Sequence, residues 1–258
     1  MTAALLLTLA ASPARAEDLA PAGGAFTGAG TPWTIGAGNG AVGLFRPLTV
    51  GLGAQDEVTV GTTLGVGLLA PRVEWKHALA AHPSGVDGLA VTAELGVPTW
   101  GMRQFQTGFL QPIRADQTVP VALVAGGSVI GGWRAAHHAV SAGLRGRVGL
   151  AGDGDVTAQD LVWLDPAIAP VTEGWSLQPW VRADWVPTPA WHLGAQVRAE
   201  VAGGLELQAR TSVERSIGTH VVVGLGGAAA VAREPWGWNV PLVVPLQLLP
   251  TLDVQARW

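Results

Sequence analysis

The 258-residue chain contains no cysteine and no tyrosine, and its charged residues amount to only 13%. Without cysteine there is no disulfide framework and no thiolate metal site, although a cysteine-free chain can sit in any compartment. The charged share is about half the roughly 25% of ordinary soluble domains. With a mean hydropathy of +0.33, it leaves little surface suited to water. Long apolar runs are also missing, since none outside the N-terminus approaches the ~18 residues that a spanning helix requires. Among spanning structures that leaves a closed barrel, because an open sheet edge finds no hydrogen-bond partner in hydrocarbon. The net charge of -4 comes without a basic cluster, which removes nucleic acid from the partners considered.

What the chain does have is alternation. From Trp191 to Val201 the odd positions are Trp, Leu, Ala, Val, Ala and Val, while His192, Gln196, Arg198 and Glu200 occupy even ones. After Ala202, Gly203 and Gly204 the pattern resumes, with Leu205, Leu207, Ala209 and Val213 against Glu206, Gln208, Arg210, Ser212 and Glu214. A period of two means extended strands, and the glycine-containing break fits a tight hairpin. The same split recurs over 57–68, 71–79, 89–97, 139–150 and 177–186, with less cleanly divided candidates at 40–52, 120–132, 156–164 and 219–232. These are alternating strands, not the continuous apolar runs of a parallel sheet. Short turn signals lie at GAQD (53–56), AGDGD (151–155) and PTPA (187–190), and the longest irregular piece, 98–119, is a surface loop, a lumen plug or an unrecognised strand pair.

Two environments accept such strands. In a soluble sandwich the apolar face is the core; in a membrane barrel it meets lipid, and the polar face lines a lumen. The polar faces carry Glu74, Lys76, Glu94, Arg145, Arg147, Arg182, Asp184, Arg198, Glu200, Glu206, Arg210 and Glu214, six of each sign. A balanced set suits a narrow lumen, where charges must be paired or hydrated, but a solvated sheet face could also show it. Arg198, Glu200, Glu206 and Arg210 within their hairpin could form a selectivity constriction, but cross-strand pairing that stabilises the lumen is their expected role. Seven of the twelve tryptophans, Trp75, Trp133, Trp185, Trp191, Trp236, Trp238 and Trp258, fall near expected strand ends, where an interfacial girdle would place them. An aromatic cap on a soluble core would use the same positions.

The N-terminus has an apolar run from Ala3 to Ala11 followed by Ala14, Arg15 and Ala16, which reads as a secretory signal over 1–16, though no Lys or Arg precedes the run. Residues 17–32 read as a flexible lead-in and 33–258 as the barrel. At the other end, every even position from Val240 to Trp258 is apolar. This alternating tail with a terminal aromatic resembles the C-terminal assembly signal of Gram-negative outer-membrane β-barrel proteins, which usually end in Phe where this chain has Trp258. Pro250 inside the tail suggests a turn or strand start. The resemblance identifies no subfamily. It implies an all-β fold, a single closed antiparallel transmembrane barrel of about 12 strands, with 10 or 14 as neighbouring even numbers. It also implies the outer membrane as location, lipid as partner, and the barrel-assembly machinery as a partner of the C-terminal strand.

Catalytic and metal motifs are sparse. The six histidines are His77, His82, His137, His138, His192 and His220. None has HExxH spacing, and His137 and His138 would point to opposite faces of a strand. GDGDVTAQD (152–160) lacks the glycine and terminal glutamate of a calcium loop, and no G-x-S-x-G occurs. The resulting expectation is a barrel that is not an enzyme, with no cofactor: a passive channel or a structural barrel with a charged lumen. Its alternatives are an outer-membrane hydrolase built on His192 or His220 with a Ser or Asp, or a soluble periplasmic β-barrel or sandwich binding an apolar ligand. Solute and oligomeric state are left open.

Overall fold

The computed structural model describes Phe26 and residues 30–43, 47–61, 71–81, 87–107, 116–154, 169–202, 205–231, 238–240 and 246–258. The signal segment 1–16, the candidate strand 156–164 and Trp236 lie outside these residues, as do the side chains of Glu206 and Trp238.

The strands are β1 (Gly40–Gly43), β2 (Leu48–Gly51), β3 (Asp56–Val60), β4 (Arg72–Ala81), β5 (Asp87–Gly96), β6 (Ala122–Arg134), β7 (His138–Ala151), β8 (Trp175–Thr188), β9 (Trp191–Val201), β10 (Leu205–Ile217), β11 (Val221–Val231), β12 (Trp238–Val240) and β13 (Leu246–Arg257). Two helices interrupt them, α1 (Pro98–Thr107) and α2 (Ala169–Glu173). Strands β1 to β11 pair antiparallel with their chain neighbours, and β13 follows β11. Ala41, Val42 and Gly43 of β1 pair with Arg257, Ala256 and Gln255 of β13, which closes the wall. The three residues of β12 lie beside β13 at Leu246–Leu248, beyond the end of β1. The fold is thus a closed antiparallel barrel of twelve wall strands with β12 appended, as the alternation and tail predict.

Each wall strand sends one residue set inward and the other outward, and burial separates the two sets. On β6, Ser128 is 6% exposed and its neighbour Val129 is 55% exposed. Leu144, Val148, Val181, Val197 and Val213 are likewise exposed, while Glu74, Lys76, Arg147, Asp184, Gln208 and Glu214 are buried. No second sheet covers the apolar face among the described residues, which removes the sandwich alternative. The odd positions of β9 and β10 face outward and the even ones inward, as their pattern requires.

Several local expectations change. The 40–52 candidate is two strands, β1 and β2, paired through Gly40–Val50 and Ala41–Thr49. AGDGD does not close a tight hairpin: β7 ends at Ala151 and the connection runs on to α2 and β8. Pro250 is neither a turn nor a strand start but lies within β13, opposite Gly227. There β13, among the described residues, is paired along one edge only, because β12 stops at Leu248 and β1 begins at Gln255; proline is tolerated where a ladder is incomplete. Within 98–119 the first ten residues form α1, not a strand pair. Its Thr99 hydroxyl takes the Ala122 amide (2.7 Å) and gives its proton to the Pro120 carbonyl (3.0 Å), fixing the helix to the start of β6.

The tight turns 52–55, 135–137, 189–190 and 218–220, together with Trp258, lie at one end of the barrel; α1, α2 and the described ends of the long connections that carry them lie at the other.

Candidate functional site: the lumen

The inward residues form two zones. Toward the short-turn end the lumen is filled by the chain's own N-terminal segment. Phe26, Thr31, Pro32 and Trp33 are buried, and Phe26 packs with Trp33, Ala139 and Val186. For Phe26 and residues 30–32 this overturns the expectation of a flexible lead-in; the rest of 17–29 lies outside the described residues. The physical reason is a set of inward polar side chains that satisfy the segment's backbone. Lys76 Nζ donates to the carbonyls of Thr31 (3.2 Å) and Trp33 (2.8 Å) while paired with Glu57 at 2.7 Å. The other Glu57 oxygen accepts the Ile35 amide at 3.0 Å. Trp180 Nε1 donates to the Gly30 carbonyl at 3.3 Å, and the Arg134 guanidinium lies 5.2 Å over the Trp33 ring.

Glycine makes the room. A Cβ on Gly88 or Gly132 would press on Pro32 and Trp33, and one on Gly143 would stand inside the Trp180 indole. Small inward residues therefore belong to the lumen's contents as much as the large ones do.

The second zone, toward the long connections, is a charge cluster. Glu74 and Glu94 sit directly opposite each other on β4 and β5, an arrangement that repels unless cations intervene. Arg145 donates to Glu74 and lies 3.4 Å from Glu94, while Arg147 Nε donates to Glu94. The row Glu94, Gly126, Arg147 crosses three strands, and a Cβ on Gly126 would collide with both partners. Arg147 also approaches Glu200 at 3.9 Å, and Glu200 accepts from Gln178 at 2.5 Å. Arg145 lies 5.6 Å over the Trp180 ring, joining the two zones. At the rim, Pro170 of α2 occupies the space that a Cβ on Gly149 would take, so α2 lies against the inner wall.

Of the twelve charges picked from the pattern, Glu74, Lys76, Glu94, Arg147, Asp184, Glu200 and Glu214 are buried inside the wall, and Arg145, Arg182 and Arg198 are half-buried on the same face. Arg210 is inward by alternation yet solvent-exposed, giving Nε to Gln208 at 2.9 Å. The hairpin register sets the backbone pairs among these residues. Arg198 faces Gln208, Arg210 faces Gln196, and Glu200 faces Glu206. Pattern reading missed Glu57 and Trp180, although Glu57 shares its strand face with Thr59. It also missed the reach of Lys76 to a segment more than 40 residues away, which no local spacing encodes.

His192 occupies a third cluster. Its Nε2 lies 2.8 Å from Asp184 and its Nδ1 3.3 Å from Glu214; Asp184 also takes two hydrogen bonds from Arg182, both 2.8 Å. Both ring nitrogens thus face carboxylates. His220 lies in an exposed turn against the Arg257 carbonyl (3.0 Å). Among the described residues no group of His, Asp and Glu could hold a metal ion.

On the outside, Trp75, Trp133, Trp185, Trp191 and Trp258 are exposed toward the short-turn end, and Trp175 and Trp100 toward the other. Strand β8 carries Trp175 and Trp185 on one outward face with Leu177 and Val181 between them.

No family model matches the chain and no curated protein does either. Among solved structures it is similar to a loop-deletion mutant of OmpT, an outer membrane protein of Vibrio cholerae (TM-score 0.44, 6% identity, 82% of this chain and 62% of that one). It is also similar to outer-membrane expressed OmpT of the same organism (0.43, 7%, 79% and 61%) and to an anion-selective porin from Comamonas acidovorans (0.38, 7%, 82% and 57%). The chain thus spans about three fifths of the length of the solved proteins it matches. With a closed antiparallel wall, an apolar exterior and a polar, charged interior, the protein has the architecture of the outer-membrane β-barrels as a general class, with no subfamily distinguished.

Proposed function

We propose that this protein is a non-enzymatic outer-membrane barrel, a narrow passive channel whose lumen is held shut toward the short-turn end by Phe26 and residues 30–39. The observation that carries the reading is the inverted burial of one wall: apolar side chains bare outside, charged side chains buried inside. In water such a surface would aggregate; in hydrocarbon it is what a barrel requires. The spacing on β8 supports this. Ten residues at about 3.3 Å each, tilted by roughly 40°, put Trp175 and Trp185 about 25 Å apart along the barrel axis, the height of an outer-membrane apolar band. The exposed tryptophans would then sit at the two interfaces, and the alternating β13 would be the strand offered to the assembly machinery.

Closure rests on the Lys76 and Glu57 latch. Replacing both, as Glu57→Gln with Lys76→Met, removes the donors to Thr31 and Trp33 without leaving a buried charge unpaired. The full-length refolded protein in a planar bilayer should show rare, small conductance steps, and the double variant larger or more frequent ones. Recovery of the wild-type chain from a detergent-free soluble fraction, or equal conductance in both proteins, would overturn the reading. A hydrolase is less well supported, because His192 is bracketed by Asp184 and Glu214.

A further inference from the structure

The outward face of the wall is not electrically uniform. On strands β3 to β11 the ionisable side chains at outward positions are Asp56, His77, Asp87, His138 and Arg215, and all of them lie toward the short-turn end. Toward the long connections the outward positions are apolar, with Val73, Leu95, Leu123, Leu150 and Leu205 exposed. The short-turn rim itself divides into two sectors. Strands β3 to β5 carry both acids, and Asp56 is engaged by His77 at 2.9 Å and by Trp75 Nε1 at 3.0 Å. From the 135–137 turn to the 218–220 turn the rim holds His137, His138, Arg215 and His220, with no Asp or Glu at an outward or turn position.

Four neighbouring strands build a platform at the centre of this second sector. His138 pairs with Trp185 across β7 and β8, and Trp191 pairs with Arg215 across β9 and β10. The His138 ring stacks on Trp185 with centroids 6.1 Å apart, and the Arg215 guanidinium lies 5.4 Å over the Trp191 ring. Three strand spacings of about 4.8 Å each separate the backbones of the two bases, and the two indoles lie between them. All four side chains are exposed, and their N–H groups meet no acceptor among the described residues. Farther along the same wall Val140, Val181 and Val213 are bare. Hydrogen-bond donors and positive charge set beside bare apolar surface fit an amphiphile whose head is a negatively charged acceptor. Indole rings favour that same depth, between headgroup and acyl chain.

We infer that the β7–β10 sector of the short-turn rim docks the headgroup of an anionic phospholipid, with Arg215 and His138 meeting its phosphate oxygens and Trp185 and Trp191 lying against its glycerol region. The inference rests on the outer-membrane reading, because it needs the apolar wall to face lipid. A free phosphate ion would gain nothing from the rings or the bare valines. Asp87, cross-strand partner of Trp133, borders the platform and limits it on that side.

The test is native mass spectrometry of the detergent-folded full chain, titrated with equal amounts of phosphatidylglycerol and phosphatidylcholine. The first lipid retained should be phosphatidylglycerol by about two- to fivefold, the advantage that one or two basic residues supply at an anionic surface. His138→Gln with Arg215→Gln should bring the ratio near unity, whereas Asp87→Asn, a charge change of the opposite sign, should not lower it. Heat-modifiable gel migration reports folding; should the double variant not fold, Arg215→Gln alone, at an exposed position, is expected to remove most of the preference. Equal retention of the two lipids by the wild type, or a preference that the folded variants keep, overturns the inference. Displacement of phosphatidylglycerol by inorganic phosphate at constant ionic strength would mean that the patch takes the free ion, and overturns it as well. Insertion into phosphatidylcholine vesicles is scored separately: a chain that inserts without lipid preference sinks this inference alone, whereas one that never inserts sinks the outer-membrane reading and the inference with it.

Discussion

Strand β8 presents two faces that obey opposite rules. Outward it shows Trp175, Leu177, Val181 and Trp185, all exposed; inward it shows Ser176, Gln178, Trp180 and Asp184, all buried. In a soluble protein the first set would be the core and the second the surface. The difference teaches where each kind of stability comes from. Outside, it comes from matching an apolar medium; inside, from charges and glycines whose fit must be specific, because an unpartnered charge there has no bulk water to return to.

The largest effect is therefore expected inside, at the clamp. Glu94→Gln removes the carboxylate that Arg145 and Arg147 share, leaving Arg145 with Glu74 and Arg147 with the more distant Glu200. Breaking a buried pair from one side costs about 3–5 kcal/mol. Urea titration of the bilayer-folded protein should show a loss of that order. A loss below about 1 kcal/mol would mean that water already screens the cluster as it does a surface pair.

The exterior is tested next. Val181 lies midway between Trp175 and Trp185 and is 54% exposed. Arginine there should destabilise the folded protein by about 2–4 kcal/mol in bilayers, the midplane value for barrels. In short-chain detergent micelles, which let the side chain reach water, the loss should shrink. Equal losses in both media would contradict lipid contact at this position.

Where the two regions meet, glycine is the part that makes the fit. Gly143→Ala would push a methyl into the Trp180 indole, which in turn holds Gly30. Overpacking of this kind costs about 1–3 kcal/mol. Because the ring would have to move, the variant should also raise proteolytic cleavage of the N-terminal segment in the folded protein. Stability loss with an unchanged cleavage rate would show that the ring does not help seat the segment.

Much of the wall was legible in the sequence, because period-two alternation is a local signal and each strand repeats it. The clean strands, the inward face of β9 and β10, and the closing role of the tail all follow from that period. The lumen's contents were legible only in part. Charges could be assigned to a face, but which charge meets which depends on registers summed across several strands; Glu94 finds Arg147 across Gly126 on an intervening strand. The N-terminal segment was misread for a related reason. Its residues are small and irregular, and what orders them is Lys76, Glu57 and Trp180, far away in the chain. The glycine-rich strand β6 was weak in pattern because its inward positions Gly126 and Gly132 are kept small for neighbours that the local sequence does not contain.

The smallest effect separates two tryptophans five places apart on the same strand. Trp180 is buried inside under Arg145, whereas Trp185 is exposed outside and stacked on His138 with ring centroids 6.1 Å apart. Trp185→Ala should cost the stacking contribution of roughly 0.5–1.5 kcal/mol and remove part of the fluorescence that brominated lipid quenches. Trp180→Ala should leave the lipid-quenchable fraction unchanged, because its ring never meets acyl chains. If both substitutions reduced that fraction alike, the assignment of inner and outer faces on β8 would be wrong, and with it the side of the wall on which every charged residue of the barrel has been placed.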